Sequence, residues 1–339
     1  MDDPSSQDLA TENPTTENLA TETPASNVFI PPSIHQSPLL AGESYTHHTP
    51  LPSTLSSDPS TPCVLGVDEA GRGPVLGPMV YGLLYLPLVS QTSLLKETHA
   101  FMDSKTLTPT VRSSLMHTLC STTSDLHAQC GWATRVMSAR DIGAGMLHPT
   151  GGYNLNAQAM DATIQLIKEV FERGVNVQEI YIDTIGRPQT YQEKLQRIFP
   201  ATKIVVAKKA DSIYPCVSAA SVVAKVTRDA ALEVCFQAYE GEGKEVGEGW
   251  GSGYPSDQRT VGWLKDNVDG VFGWPGECRF SWGTAKDLLE KEGKKVEWPD
   301  QEEDESQGMK LTNYFVGAQD DGKDDELRSW FGRPATSVF

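Results

Sequence analysis

The chain has 339 residues and a formal net charge of −17, long enough for one large domain or two ordinary ones. With 38% apolar and 22% charged residues a wholly disordered chain is excluded, and no apolar run reaches the ~18 residues that a membrane span needs. The acidic start, Met1-Asp2-Asp3-Pro4, fits neither a secretory signal nor a transit peptide, and six scattered cysteines without a C-x-x-C pair argue for a reducing compartment.

Read as a sum, −17 argues against a polyanionic partner. Its distribution says otherwise. Residues 1–62 carry eight acids and no Lys or Arg, and residues 299–339 carry ten acids against four bases. Residues 63–298 hold 27 acids and 24 bases, so only −3. The acidity belongs mainly to the ends.

Residues 1–62 are rich in Ser, Thr, Pro and Asn, with a near-repeat TENPTTENLATETP. This composition predicts a disordered arm, either plainly solvated or adaptor-binding. From Cys63 the texture changes. Val64–Asp68 reads as a buried strand ending on acids, Met79–Leu86 as a second strand, and Gly131–Met137 as a third. Thr108-Pro109 opens a helix with Val111, Leu115 and Leu119 at helical spacing. A long amphipathic helix is expected from about Asn154 to Arg173, with Met160, Ile164, Ile167 and Phe171 on one face and Gly174 as its stop. Glu179–Asp183 is a strand, Tyr191–Phe199 a helix, Lys203–Ala207 a strand, and Ile213–Tyr239 one or two helices. Glu240–Gly251 reads as a flexible loop. Helices follow at 256–267, capped by Ser256, and at 284–292, capped by Thr284. This order predicts an α/β fold with a mixed sheet and a helical C-terminal part.

The strands deliver acids at their ends: Asp68 and Glu69 after the first, Asp183 after a later one, and Asp211 just beyond 203–207. Strand ends are where α/β sheets build sites. A single such Asp ordinarily caps a turn or faces water. Four converging carboxylates would repel unless hard cations neutralised them, which points to Mg²⁺ or Mn²⁺. Gly71-Arg72-Gly73-Pro74 follows directly and is neither a Walker loop nor a dinucleotide fingerprint. Alone it is a weak signal whose plain reading is a tight turn, though two glycines also allow close backbone approach to a ligand.

These residues resemble a known family. GVDEAGRGPVLGPMV (66–80) is similar to the signature of type 2 ribonucleases H, the ribonuclease HII group. DSKTL (103–107), YNLN (153–156), YIDTIG (181–186), KKADSIYPCVSAASVVAKVTRD (208–229), GSGYPSD (251–257), FGWP and RFSW follow in the family's order. The resemblance spans 63–292, and the tail resembles that of the eukaryotic catalytic subunit, which works with two accessory subunits in a heterotrimer. It implies a ribonuclease H-like fold and cleavage of RNA in RNA/DNA hybrids and at single ribonucleotides in duplex DNA. Asp68, Glu69, Asp183 and Asp211 then correspond to four catalytic acids that ligate two divalent ions, ~4 Å apart, giving 5′-phosphate and 3′-hydroxyl ends. The resemblance assigns Gly71, Arg72 and Gly73 to the ribose 2′-hydroxyl, and Tyr254 to the RNA–DNA junction. Lys105, Asn154, Asn156, Lys225 and Arg228 are candidate phosphate contacts, with surface ion pairs as their competing reading.

Residues 63–298 are thus expected to form the catalytic domain and 299–339 an acidic tail. Within the tail, Met309, Leu311, Tyr314 and Phe315 mark a docking segment at 309–315 for accessory subunits. A sliding-clamp peptide is the weaker alternative, because Gly308 stands where its Gln belongs, and an incidental apolar patch is the third reading. The implied setting is the nucleus, in replication and repair, with the cytoplasm as the alternative and no membrane partner. Competing readings are another metal-dependent nuclease or transposase of the same fold class, or an inactive hybrid-binding scaffold.

Overall fold

The computed structural model describes residues 29–101, 107–148, 153–184, 186–241 and 249–295. In chain order the elements are α1 (Gln36–Leu40), β1 (Tyr45–His48), α2 (Ser53–Ser57), β2 (Cys63–Ala70) and β3 (Met79–Pro87). Two short helical turns, Leu88–Ser90 and Gln91–Thr98, precede α3 (Pro109–Cys120), α4 (Asp125–Gln129), β4 (Gly131–Met137), α5 (Ala139–Met146) and α6 (Leu155–Glu172). Then come β5 (Val177–Asp183), α7 (Pro188–Ile198), β6 (Lys203–Ala207), α8 (Ala210–Ile213), α9 (Pro215–Glu240), α10 (Gln258–Asp266) and α11 (Gly283–Glu292).

The sheet runs in the order β1-β4-β3-β2-β5-β6. The pairs from β1 to β2 are antiparallel, and β2-β5-β6 are parallel. β2 and β3 read as near-continuous apolar runs because both their faces are covered. On one face Leu65, Val67, Leu83 and Ile180 pack with Leu166 and Ile167 of α6 and with Leu195 of α7. On the other, Val64 and Leu84 meet Val217, Val222 and Val223 of α9. A third cluster joins Phe236 of α9 to Trp250, Trp263 and Trp274 and to α11.

Helix α9 lies unusually close to the sheet. A Cβ on Gly66 would overlap the backbone of Cys216 and Val217, and one on Gly82 would overlap the Ala220 carbonyl and the Ala224 backbone. Backbone therefore meets backbone at these two points. The expected mixed sheet with its helical C-terminal part is present.

Several expectations need correction. Residues 29–62 are not a disordered arm. β1 pairs with β4 from Tyr45↔Val136 to His48↔Ala133. Buried Ser33 shares a hydrogen bond with Thr227 at 2.8 Å, and His48 Nε2 stands 2.6 Å from Glu169. A few scattered apolar residues, Leu39, Tyr45 and Leu55, anchor this segment in the core, and the polar stretches between them give it the composition of a solvated tail. The folded unit runs to Lys294. The stretch 1–28, Lys105, the linker beyond 298 and the 309–315 cluster lie outside the described residues.

The buried face of α6 is centred on Ala159, Ala162, Leu166 and Val170, with Met160, Ile164 and Phe171 at its margins. Alanines let the helix axis approach the sheet, and the larger residues flank that seam. In α3 the Thr108 side chain accepts from Val111 N, but Val111 is exposed and Met116 and Leu119 face inward. Asp257, not Ser256, caps α10 by accepting from Arg259 N. Helix α11 begins at Gly283 with no side-chain cap. The proposed loop at 240–251 contains Trp250, which is fully buried among Phe236, Tyr239 and Trp263.

The close approach at Gly82 yields a test. Gly82→Val is expected to cost at least ~1–3 kcal/mol in urea unfolding, the usual penalty of overpacking. Gly143→Ala in α5, where a Cβ meets nothing within 4 Å, is expected to be neutral or stabilising. Equal stability of the two variants would refute the backbone-to-backbone contact.

Candidate active site

Side-chain alternation along β2 sends Leu65, Val67 and Glu69 to the α6 face, and Val64, Gly66 and Asp68 to the α9 face. The parallel register Val67↔Ile182 makes Asp68 and Asp183 neighbours in adjacent strands. Asp183 pairs with Ala207 of β6, and its Oδ1 accepts from Ala210 N at 2.8 Å. That bond draws α8 back toward the β5 end and places Asp211, 5% exposed, in the first turn. Three acids thus gather on the α9 side of the strand ends. Glu69 joins from the opposite face of the same strand.

Burial sets the electrostatics. It pushes the Asp68 carboxyl up to about 6, opposed by Lys225, whose Nζ lies 3.9 Å from Asp68 Oδ2. The Asp183 charge pushes the same way as burial. Glu69 is pushed up to about 8 by burial and then by the Asp68 charge, with Arg72 opposing. Lys225 also donates to Ser221 Oγ at 2.5 Å, one helical turn before it. The acid cluster therefore carries negative charge that one lysine only partly offsets.

The donor set fits a hard divalent cation. All four candidate ligands are carboxylates on adjoining elements, and oxygen ligands suit Mg²⁺ or Mn²⁺. Among the described residues no three His, Cys, Asp or Glu side chains are already grouped so as to hold a metal ion. The carboxylates sit around the strand ends, with Glu69 approaching from the far side of β2.

The Gly71-Arg72-Gly73 turn is fixed from below. Gly71 takes φ +78°, where an added Cβ would crowd the Pro78 carbonyl. Arg279 is fully buried and donates to the carbonyls of Gly71 at 2.7 Å, Arg72 at 3.2 Å and Gly77 at 3.0 Å. Trp282 Nε1 donates to the Gly73 carbonyl at 3.1 Å, and its ring lies 4.9 Å from the Arg279 guanidinium. All three carbonyls of the turn are thus engaged internally. Burial and the nearby Arg228 pull the Arg279 pKa down to about 9, so the guanidinium remains charged at neutral pH. Sequence reasoning missed Arg279 and Trp282, although both lie in the RFSW block. Their signal was an arginine set between Cys278 and Phe280 in a run that is otherwise apolar.

Tyr254, 38% exposed, stands over the same turn, and a Cβ on Gly73 would lie 3.2 Å from its ring. The Arg228 guanidinium is 5.6 Å from that ring's centroid. Arg228 is itself buried and donates to the Ser252 carbonyl at 2.5 Å and to Asp229 at 2.9 Å. Arg228 therefore supports the Tyr254 loop from inside, which corrects its expected place as an exposed phosphate contact. Lys225 belongs to the acid cluster for the same kind of reason. The Asn154 side chain caps α6 by accepting from Asn156 N and Ala157 N at 3.0 and 3.1 Å. Asn156 accepts from Arg72 Nη2, joining α6 to the glycine turn.

Two measurements test this geometry. A folded-state Glu69 pKa near 8, against about 4.5 for a free glutamate, means the native state holds a proton that the unfolded state releases. That contribution to stability is present below about pH 4.5 and lost as pH rises toward 8. With chelator present, Glu69→Gln is therefore expected to gain thermal stability over the parent chain progressively from pH 5 to pH 8; a gap that does not change with pH would contradict the assignment. Arg279→Lys keeps the charge but cannot serve three carbonyls in fork geometry. It is expected to lose ~1–3 kcal/mol in urea unfolding, and an unchanged midpoint would count against the pinned turn.

Comparison with known proteins agrees with this arrangement. The family model for ribonuclease HII matches residues 65–285, which include all four acids, the glycine turn, Tyr254 and Arg279. The chain is 58% identical to a ribonuclease H2 subunit of Neurospora crassa over 312 residues, covering 91% of this chain and 95% of that protein. Among solved structures, it resembles ribonuclease H2 from Pyrococcus horikoshii OT3, with a TM-score of 0.54 and 28% identity over 67% of this chain and 97% of the other. It also resembles ribonuclease HII from Archaeoglobus fulgidus, solved as a complex with PCNA, with a TM-score of 0.52 and 26% identity over 65% and 94% of the two chains. The chain belongs to the ribonuclease HII family.

Proposed function

We propose that this ribonuclease is the catalytic subunit of an assembly that cuts the RNA strand of RNA/DNA hybrids and incises duplex DNA at single embedded ribonucleotides. The observation that carries the reading is the juxtaposition of two devices. Asp68, Glu69, Asp183 and Asp211 surround the strand ends, and the Gly71–Gly73 turn, pinned by Arg279 and Trp282, lies beside them under Tyr254. The acids would hold two divalent ions. When bound, these ions would lower the pKa of an attacking water and neutralise the leaving 3′-oxygen.

The chain's own residues do the rest. Lys225 tempers the charge of Asp68 and, through Ser221, keeps α9 in register with β2. Arg279 holds the turn rigid, so its backbone can test for a ribose 2′-hydroxyl without reorganising. Tyr254 offers a flat face to a sugar and one hydroxyl to bond it. Hydrolysis by water needs no side-chain nucleophile and would leave 5′-phosphate and 3′-hydroxyl ends.

The Neurospora relative is named as one subunit of ribonuclease H2, which supports accessory subunits here, with residues 309–315 as their docking segment. The PCNA complex of the archaeal relative supports a clamp contact as the second reading, weakened here by Gly308. Embedded ribonucleotides arise in DNA synthesis, so nuclear replication and repair are the proposed setting.

The test is cleavage of a DNA duplex holding one ribonucleotide against the same duplex in DNA alone, by the purified chain with and without candidate accessory subunits. Cleavage at the ribonucleotide alone is expected, with loss of at least ~100-fold for Asp68→Ala or Asp211→Ala, the scale of a lost catalytic group. Equal cutting of both duplexes, or an active Asp68→Ala chain, would overturn the proposal.

A further inference from the structure

Beside the acids lies a cavity of about 680 Å³ between the start of α6 and the outer face of α7. The strand that delivers Asp183 runs on into its wall, because Arg187 follows only four residues later. Arg187, Thr190 and Lys194 fall at i, i+3 and i+7, which places all three on one face of α7. Between them Tyr191 is 4% exposed and turns inward, its enclosed hydroxyl lying toward Thr163 of α6 in the core. The opposite wall is Asn154, Asn156 and Asp161 of the α6 start. Asn156 is the residue that bonds Arg72 of the glycine turn, which ties this wall of the cavity to that turn.

The chemistry of this lining selects its ligand. Two cations face one carboxylate, Asp161, and neither cation is in an ion pair among the described residues. Cations with a hydroxyl donor around an open polar pocket match a phosphate. A nucleic-acid strand crossing the acids carries its phosphates in sequence, one for each nucleotide.

We propose that this cavity seats a backbone phosphate of the substrate flanking the scissile one, held by Arg187, Lys194 and Thr190. The inference rests on the substrate class proposed above. These residues position substrate and do not touch the reacting atoms. Their loss should therefore appear in KM and in salt dependence rather than in kcat.

The experiment uses the full chain, with its accessory subunits if activity needs them. Its substrate is a duplex holding one ribonucleotide and one methylphosphonate placed at successive positions on either side. The neutral linkage removes one charge at a time. For the parent chain KM is expected to rise about tenfold at one flanking position, as for a lost charge-assisted bond. The Arg187→Ala/Lys194→Ala chain should show about that rise on the unmodified duplex, no further rise at that position, and an unchanged kcat. Its log KM against log salt should be shallower by about 1. Thr190→Val, which removes only the exposed hydroxyl of the cavity wall, should move KM the same way by about threefold, with an unchanged circular dichroism spectrum.

A parent scan flat at every position, or a double variant with the parent's scan and salt slope, would overturn the inference. So would a thermal shift of the parent by inorganic phosphate, lost in the double variant, combined with a flat scan, since that describes a site for free anions. In each case selective cutting at the ribonucleotide would leave the proposed function standing; equal cutting of the all-DNA duplex would remove that function instead.

Discussion

The contact on which this molecule depends is the one where α9 touches the central strands with no side chain between them. Gly66 and Gly82 admit the helix backbone directly onto β2 and β3. A helix held at that distance presents Ser221, Lys225 and Arg228 to the sheet at fixed heights. Lys225 meets Asp68, and Arg228 reaches the loop that carries Tyr254. Acid cluster and Tyr254 are thus set by the same helix. Whatever tilts α9 moves both together.

Charge is the second organising quantity. Burying several carboxylates near one another is unfavourable, and the raised pKa values of Asp68 and Glu69 express that cost. A site poised in this way attracts divalent cations because it is poorly neutralised without them. The arginines around it work differently. Arg279 spends its charge on carbonyls, and Arg228 spends part of its own the same way, so they act as rigid struts. Cations free to meet an anionic strand lie further out, on α7. The net charge of the whole chain therefore says little about the field that a substrate meets.

Much of this was legible in the residues. Strand ends that terminate in acids stand out because apolar runs are easy to bound, and β4 and β6 have the expected limits. The start of α6 was legible at Asn154, though not that its side chain caps the helix. Arg279 was not legible, because its partners are carbonyls more than 200 residues upstream and no side-chain pattern marks them. The expected face of α6 is present, with Ile167 buried and Met160, Ile164 and Phe171 packed against the same core. The alanines through which the helix approaches were less legible, because apolar periodicity weights large residues. The N-terminal strand was missed because Tyr45-Thr46-His47-His48 is half-buried and satisfied by hydrogen bonds and ring contacts. The tail cluster and Lys105 lie outside the described residues, so their sequence readings stand as readings.

That N-terminal strand has a consequence for how the enzyme can be handled. β1 covers the outer edge of β4 along four residue pairs. A catalytic fragment cut at Cys63, where the apolar texture begins, would keep every acid and still lose this cover. The β4 edge would then present unpaired N–H and C=O groups to any other chain, which is a template for intermolecular strand pairing. Such a fragment should be judged by its self-association before its activity, and Phe29 is the sounder place to begin one.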